Sequence, residues 1–96
     1  MYGVTKAVNV ETTGSKLGLP VDCSAMGATK SVQVTGASFS GSLQLEISND
    51  NVGWYSFDDA ITAAGIYVVD VPCAWLRVNA ASLGGTAPTV TLFGIR

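Results

Sequence analysis

Histidine is absent from this 96-residue chain, and Asp, Glu, Lys and Arg together make up only 12% of it. The first absence removes the commonest general base, triad member and metal ligand. Scarcity of charge bears on partners. Lys6, Lys16, Lys30, Arg77 and Arg96 stand singly along the chain, and seven acidic residues leave a net charge of −2. Phosphate backbones are held by clustered Lys and Arg, so nucleic acid is not expected as a partner. Long apolar runs are lacking too. The longest low-charge stretch, residues 60–69, is interrupted by Thr62 and Gly65 and falls short of the ~20 residues that cross a bilayer, which predicts no membrane span. Met1-Tyr2-Gly3-Val4-Thr5-Lys6 lacks the basic start and apolar core of a signal peptide, and no Asn-x-Ser/Thr acceptor occurs. Together these absences predict a soluble protein made in a cytoplasm.

Cysteine is sparse as well. Cys23 and Cys73 form an even pair whose separation matches no zinc or redox spacing. Two reduced, buried thiols are the plain reading, and a disulfide between them is the alternative.

What the chain does contain is apolar residues at 48%, with Ser, Thr, Ala and 11 Gly in place of charge. That is enough to exclude disorder. At 9.9 kDa the chain makes one domain, residues 1–96. Period-two alternation dominates. In Ser42-Leu43-Gln44-Leu45-Glu46-Ile47-Ser48 the residues Leu43, Leu45 and Ile47 share one face, opposite Gln44 and Glu46. Ser31-Val32-Gln33-Val34-Thr35 repeats the pattern, and the Gly- and Ser-rich residues 36–41 read as the loop between two neighbouring strands. After the turn signal Ser48-Asn49-Asp50-Asn51 comes the aromatic strand Trp54-Tyr55-Ser56-Phe57. Ile66-Tyr67-Val68-Val69-Asp70-Val71 is strand by propensity and stops at Pro72. Trp75-Leu76-Arg77-Val78-Asn79 places Leu76 and Val78 inward, and Thr89-Val90-Thr91-Leu92-Phe93 does the same with Val90 and Leu92. Residues 82–88 read as a loop and residues 59–64 as at most a weak helical turn. Residues 4–10 and 17–21 are weaker strands. The sum is an all-β chain, an antiparallel β-sandwich of about eight short strands. Whether it is immunoglobulin-like or jelly-roll stays open, because alternation does not encode strand order.

No constellation of catalytic residues emerges, so no enzyme, cofactor or metal is expected. Asp58-Asp59 would point to opposite faces of a strand, which suits solvation better than a shared substrate. Asn49, Asp50 and Asn51 lack the order and the bidentate Glu of an EF-hand loop and read as a turn. No Gly-x-Ser-x-Gly elbow or phosphate cradle occurs. Trp54, Tyr55, Tyr67 and Trp75 could stack on a sugar, but on so small a sandwich such rings belong first to the core or to a subunit interface. The polar faces are more telling. Gln33, Thr35, Gln44, Ser48, Ser56, Thr89 and Thr91 are uncharged where a free monomer would carry Lys and Glu, the residues that interface cores lose.

The order of these strands resembles a pattern common in small structural proteins of tailed bacteriophages. Ser31-Val32-Gln33-Val34-Thr35-Gly36 is followed by Gly41-Ser42 and a strand ending in Ser48-Asn49-Asp50, then by Gly53-Trp54. Ala64-Gly65-Ile66-Tyr67, Trp75-Leu76-Arg77-Val78 and Val90-Thr91-Leu92-Phe93-Gly94 complete it, over about two-thirds of the chain. Asn51 stands where the pattern usually has Gly. The resemblance implies a capsid decoration (cement) protein on the virion's capsid surface, assembled in the host cytoplasm. Its partner would be the major capsid protein, and it would self-associate as a homotrimer. The alternatives are a tail, neck or fibre adaptor and, further off, a carbohydrate-binding module. Tyr2, Val4, Val8, Val10, Trp54, Tyr55 and Trp75 are the candidate interface residues. Residues 1–11 are either an arm that adds a strand to a neighbour or a plain edge strand.

Overall fold

The computed structural model describes residues 3–8, 14–36, 39–85 and 88–95, with backbone alone for 14–17. The strands among them are Gly3–Val8 (β1), Gly14–Leu17 (β2), Val21–Asp22 (β3), Lys30–Thr35 (β4), Phe39–Ser48 (β5), Tyr55–Ser56 (β6), Gly65–Val69 (β7), Trp75–Gly85 (β8) and Thr89–Ile95 (β9). Every pairing is antiparallel. One sheet runs β1-β9-β4-β7 and the other β2-β8-β5-β6, with β3 also on β8. β2 and β3 follow one another along the same strand: Leu17 pairs with Asn79 and Val21 with Leu76, and between them the Gly18 N–H donates to the Val78 carbonyl at 2.7 Å. They act as one strand interrupted near Pro20, which has no N–H to give. Counted so, each sheet has four strands, and the chain changes sheet at almost every step. That order is the double Greek key of a jelly roll, which settles the choice left open by alternation.

Alternation builds the core directly. Val32, Val34, Val69, Val90 and Leu92 from the first sheet meet Leu43, Leu45, Leu76, Val78, Ala80 and Leu83 from the second, all buried. The smallest dimension of the molecule, 19 Å, is that of two sheets stacked ~10 Å apart with their outward side chains.

Several expectations need correcting. β4 and β5 are not neighbours but lie in opposite sheets, because the connection between them crosses the sandwich. Residues 82–85 are strand rather than loop: Gly84 and Gly85 pair with Ser40 and Phe39, and only the register shifts, between Ser40 and Ser42. The aromatic strand shrinks to Tyr55–Ser56. In place of a helical turn, Ile61 bridges to Leu43 through bonds of 2.8 and 2.9 Å and joins the core, and no helix occurs among the described residues. Within residues 1–11, β1 is an edge strand on β9 of its own sheet.

Candidate functional site

With the inward positions filled by core, the sandwich offers two outward faces of different chemistry. On the β2-β8-β5-β6 sheet, Glu46 of β5 pairs across the ladder with Arg77 of β8, Nε to Oε1 at 2.7 Å. Asn79 Nδ2 donates to the other carboxylate oxygen at 3.3 Å, and the guanidinium lies 4.2 Å from the centre of the Trp54 ring. This cluster is half-buried, so its charges are screened less than on an open surface. Arg77→Ala is expected to cost about 1–3 kcal/mol by leaving the Glu46 carboxylate unpaired and uncapping Trp54. Urea titration reads the first effect, and a red shift of tryptophan emission reads the second.

Beyond β5 the chain turns through residues 48–53. Asp50 Oδ1 accepts from Gly53 N–H and Val52 N–H, each at 2.9 Å, and from the Ser48 hydroxyl at 3.1 Å. These bonds hold its carboxyl below the usual carboxylate range. That oxygen is therefore committed to closing the turn. A groove of ≈ 330 Å³ lies beside it, lined by Asn49, Asp50, Tyr55 and Pro72 among others, and Tyr55 is 74% exposed. Asp58 and Asp59 sit in a bend rather than on a strand. Asp58 has φ 62° and its Oδ1 accepts the Asp59 N–H at 2.9 Å.

The other face belongs to the β1-β9-β4-β7 sheet. Its cross-strand rows are Thr5–Phe93–Ser31–Val68 and Ala7–Thr91–Gln33–Ile66, and Gly3–Ile95 extends them. None of these residues is charged. Ile66 and Val68 are 68% and 57% exposed, and Phe93 and Ile95 are exposed as well. The tip of the Phe93 ring reaches over Gly3, where an added Cβ would come within 2.6 Å of it. A hollow of ≈ 190 Å³ opens over Ser31 between Val68, Phe93 and Ile95.

The seven candidate interface residues are dispersed by this arrangement. Val8 is core and offers no surface, Val4 is half-buried on β1, Trp54 and Trp75 are half-buried, and Tyr55 alone of the three aromatics is open. Tyr2 and Val10 lie outside the described residues. The apolar outward side chains of β7 and β9 were not singled out from the sequence. A signal for Phe93 existed: with Val90 and Leu92 inward, alternation sends Phe93 outward beside Thr91.

Cys23 and Cys73 are both free, Cys23 buried and Cys73 half-buried. Burial first, then the neighbouring Cys73 thiol, pushes the Cys23 thiol up to about 12. Since the thiolate is the reactive form, Cys23 is expected to resist a thiol reagent at pH 8 until the protein unfolds. The same shift means that the group leaves stability untouched below its unfolded value of 9.0 and erodes it from there up to about pH 12. Counting thiols with and without urea checks the first expectation, and a rapid two-thiol reaction in the folded state would contradict it.

The geometry defines a jelly-roll sandwich with one charge-bearing face and one neutral, apolar face. No family model and no curated protein matches the sequence. Among solved structures the chain is similar to the SPBc2 prophage-derived protein YomS, with a TM-score of 0.81 at 12% identity, covering 99% of this chain and 94% of that one. At that identity the likeness establishes a shared fold.

Proposed function

We propose that this chain is a structural protein of a tailed-bacteriophage particle, a decoration protein that binds the assembled head and strengthens contacts between capsomers without catalysis. Its partner is the major capsid protein, and its seat is a local three-fold position occupied by a homotrimer. The observation that carries the reading is the neutral outward face of the β1-β9-β4-β7 sheet, a surface suited to being covered. The fold it shares with a prophage-derived protein supports the same reading. Many symmetric copies turn a modest contact into a large stabilisation of a shell.

A carbohydrate-binding role has one observation in its favour, the open Tyr55 ring on its groove beside Asn49. Against it, one oxygen of Asp50 is already spent on the turn, and Trp54 is capped by Arg77. The test is co-sedimentation of the full chain with heads lacking it, followed by heating of the loaded and bare heads. Binding in hundreds of copies, with heads that survive higher temperature, supports decoration. Binding to glycans, with none to heads, supports the sugar reading instead.

A further inference from the structure

We propose that Cys23 and Cys73 form a redox switch: both thiols stay free in a reducing cytoplasm and close into one intrachain disulfide when the chain meets a small-molecule disulfide such as oxidised glutathione. The chemistry of the pair stands on the structure, while the moment of closure, after a particle leaves its host, rests on the phage reading given above.

Backbone geometry brings the two residues together. The antiparallel pairing of Val21 with Leu76 and of Asp22 with Trp75 runs on to Cys23, whose N–H donates to the Ala74 carbonyl at 2.7 Å. Residues facing each other across such a ladder have Cα atoms ~4.5–5.5 Å apart. Cys73 is one step along the chain from that position, in reach of the ~4.4–6.8 Å that a disulfide spans. Strict alternation would turn Cys73 away from Cys23. The strand begins only at Trp75, however, and both cysteines pack against the same core. Cys73 is close enough there to add to the effect of burial on the Cys23 thiol.

Little backbone has to move for the bond to form. The Lys30 ammonium holds the Val71 carbonyl at 2.8 Å on one side of Cys73, and the Cys23 N–H holds that of Ala74 on the other. Cys23 is fixed in turn, its carbonyl accepting the Met26 N–H at 2.9 Å.

Exposure sets the order of events. Cys73 is half-buried, whereas Cys23 is buried with its S–H donating to the Val21 carbonyl at 3.6 Å. Cys73, as its thiolate, attacks glutathione disulfide first. That S–S bond breaks, and one glutathione leaves as a thiolate that takes up a proton. Cys23 then gives its proton to solvent and attacks the Cys73 sulfur, which releases the second glutathione. Two electrons and two protons pass from the protein to the reagent, and one S–S bond replaces another. The second step is slow, because burial keeps Cys23 in its thiol form.

The ring so closed, residues 23–73, contains β4, β5, β6 and β7, strands of both sheets. A ring of that length restrains the unfolded chain, so the oxidised protein is expected to melt about 10 °C or more above the reduced one. A subunit made without a cross-link in the cytoplasm would thus be hardened outside it.

The test incubates the folded full chain with oxidised glutathione at pH 8, then unfolds it in urea and counts thiols with an alkylating agent. The wild type is expected to lose both thiols and about 2 Da of mass, and to yield a Cys23–Cys73 peptide on non-reducing digestion. It should also melt higher, and dithiothreitol should reverse each change. Neither Cys73→Ser nor Cys23→Ala is expected to gain in Tm on oxidation, a comparison each variant makes with its own reduced form. A wild type that keeps glutathione on Cys73 and a free thiol at Cys23 overturns the inference. A bond between two chains, or a closed form that melts no higher, overturns it too. Timing is read by alkylating cells at the moment of lysis, where both thiols should be free, and by mapping purified particles exposed to oxidised glutathione, where the bond should be present. Closure in solution with no chain in particles sinks only the phage reading. Particles that contain the chain and keep both thiols free sink the switch alone.

Discussion

Replacing Lys30 with Met is expected to cost about 2–4 kcal/mol and to lower Tm by roughly 10–25 °C. Lys30 opens β4 and is only 2% exposed, which is rare for lysine. Its side chain turns inward, and Nζ donates to the carbonyls of Ala28 and Val71 at 2.8 Å and of Gly27 at 3.2 Å. Among the described residues no carboxylate pairs with it. Three backbone acceptors hold the ammonium instead, and in return it ties the turn before β4 to Val71, just past β7 and forty-one residues away. Methionine keeps most of the volume, so its effect isolates the lost donors, while Lys30→Ala adds a cavity and should cost more. Amide exchange near Val71 should accelerate in both variants, since this strand end would lose its tether. A Tm for Lys30→Met within 2–3 °C of wild type would show that the carbonyl cage contributes nothing.

Gly41→Ala is the second large effect, at about 2–4 kcal/mol. The β5–β8 ladder slips between Ser40 and Ser42, and Gly41 occupies that slip at φ 86°. A Cβ there meets backbone: it would stand 2.5 Å from the Ala81 carbonyl oxygen and closer still to that of Ser82. Backbone in the pair of longest strands cannot give way without moving the bulge, and Ser82 opposite has φ 52°. The bulge in turn lets β8 continue to Gly85 and pair with Phe39. Gly53→Ala is the control, since a Cβ there has nothing nearer than 3.9 Å and the effect should stay below about 0.5 kcal/mol. Equal stability of the two variants in urea would remove the bulge from the account.

Both predictions concern residues that alternation does not reveal. Leu43, Leu45, Val32, Val34, Leu76, Val78, Val90 and Leu92 were legible as core because a half-buried strand must alternate, and each is buried. Sheet order was not legible. Strands β4 and β5 have the same local pattern, and nothing in either says that the link between them crosses the sandwich. Gly84-Gly85 read as a turn because glycine signals turns, yet here it sits at the end of a bulged strand. In the sequence Lys30 is one of five scattered cations with nothing to mark it as buried, and only the fold places three carbonyls around it.

The candidate surface was half legible for a related reason. Gln33, Thr35, Thr89 and Thr91 were flagged as neutral outward residues, and the structure gathers all four on one sheet. Ile66 and Val68 are not legible as outward residues because Ile66-Tyr67-Val68-Val69 is apolar at every position, so no alternation says which side chains face out. Tertiary structure decides it, burying Val69, half-burying Tyr67 and leaving Ile66 and Val68 in water. The Tyr67 hydroxyl reaches the Ala63 carbonyl at 2.6 Å, which anchors that edge without covering it.

A decoration protein of a phage head, as proposed for this jelly roll, must be found in finished particles. Quantitative mass spectrometry of intact particles, purified on a density gradient from cells carrying the phage, tests it most directly. The chain is expected in purified particles at a copy number comparable with that of the major capsid protein. A handful of copies that fractionate with tails would move it to an adaptor role, and its absence from particles, with the chain present in the lysate, would contradict the account.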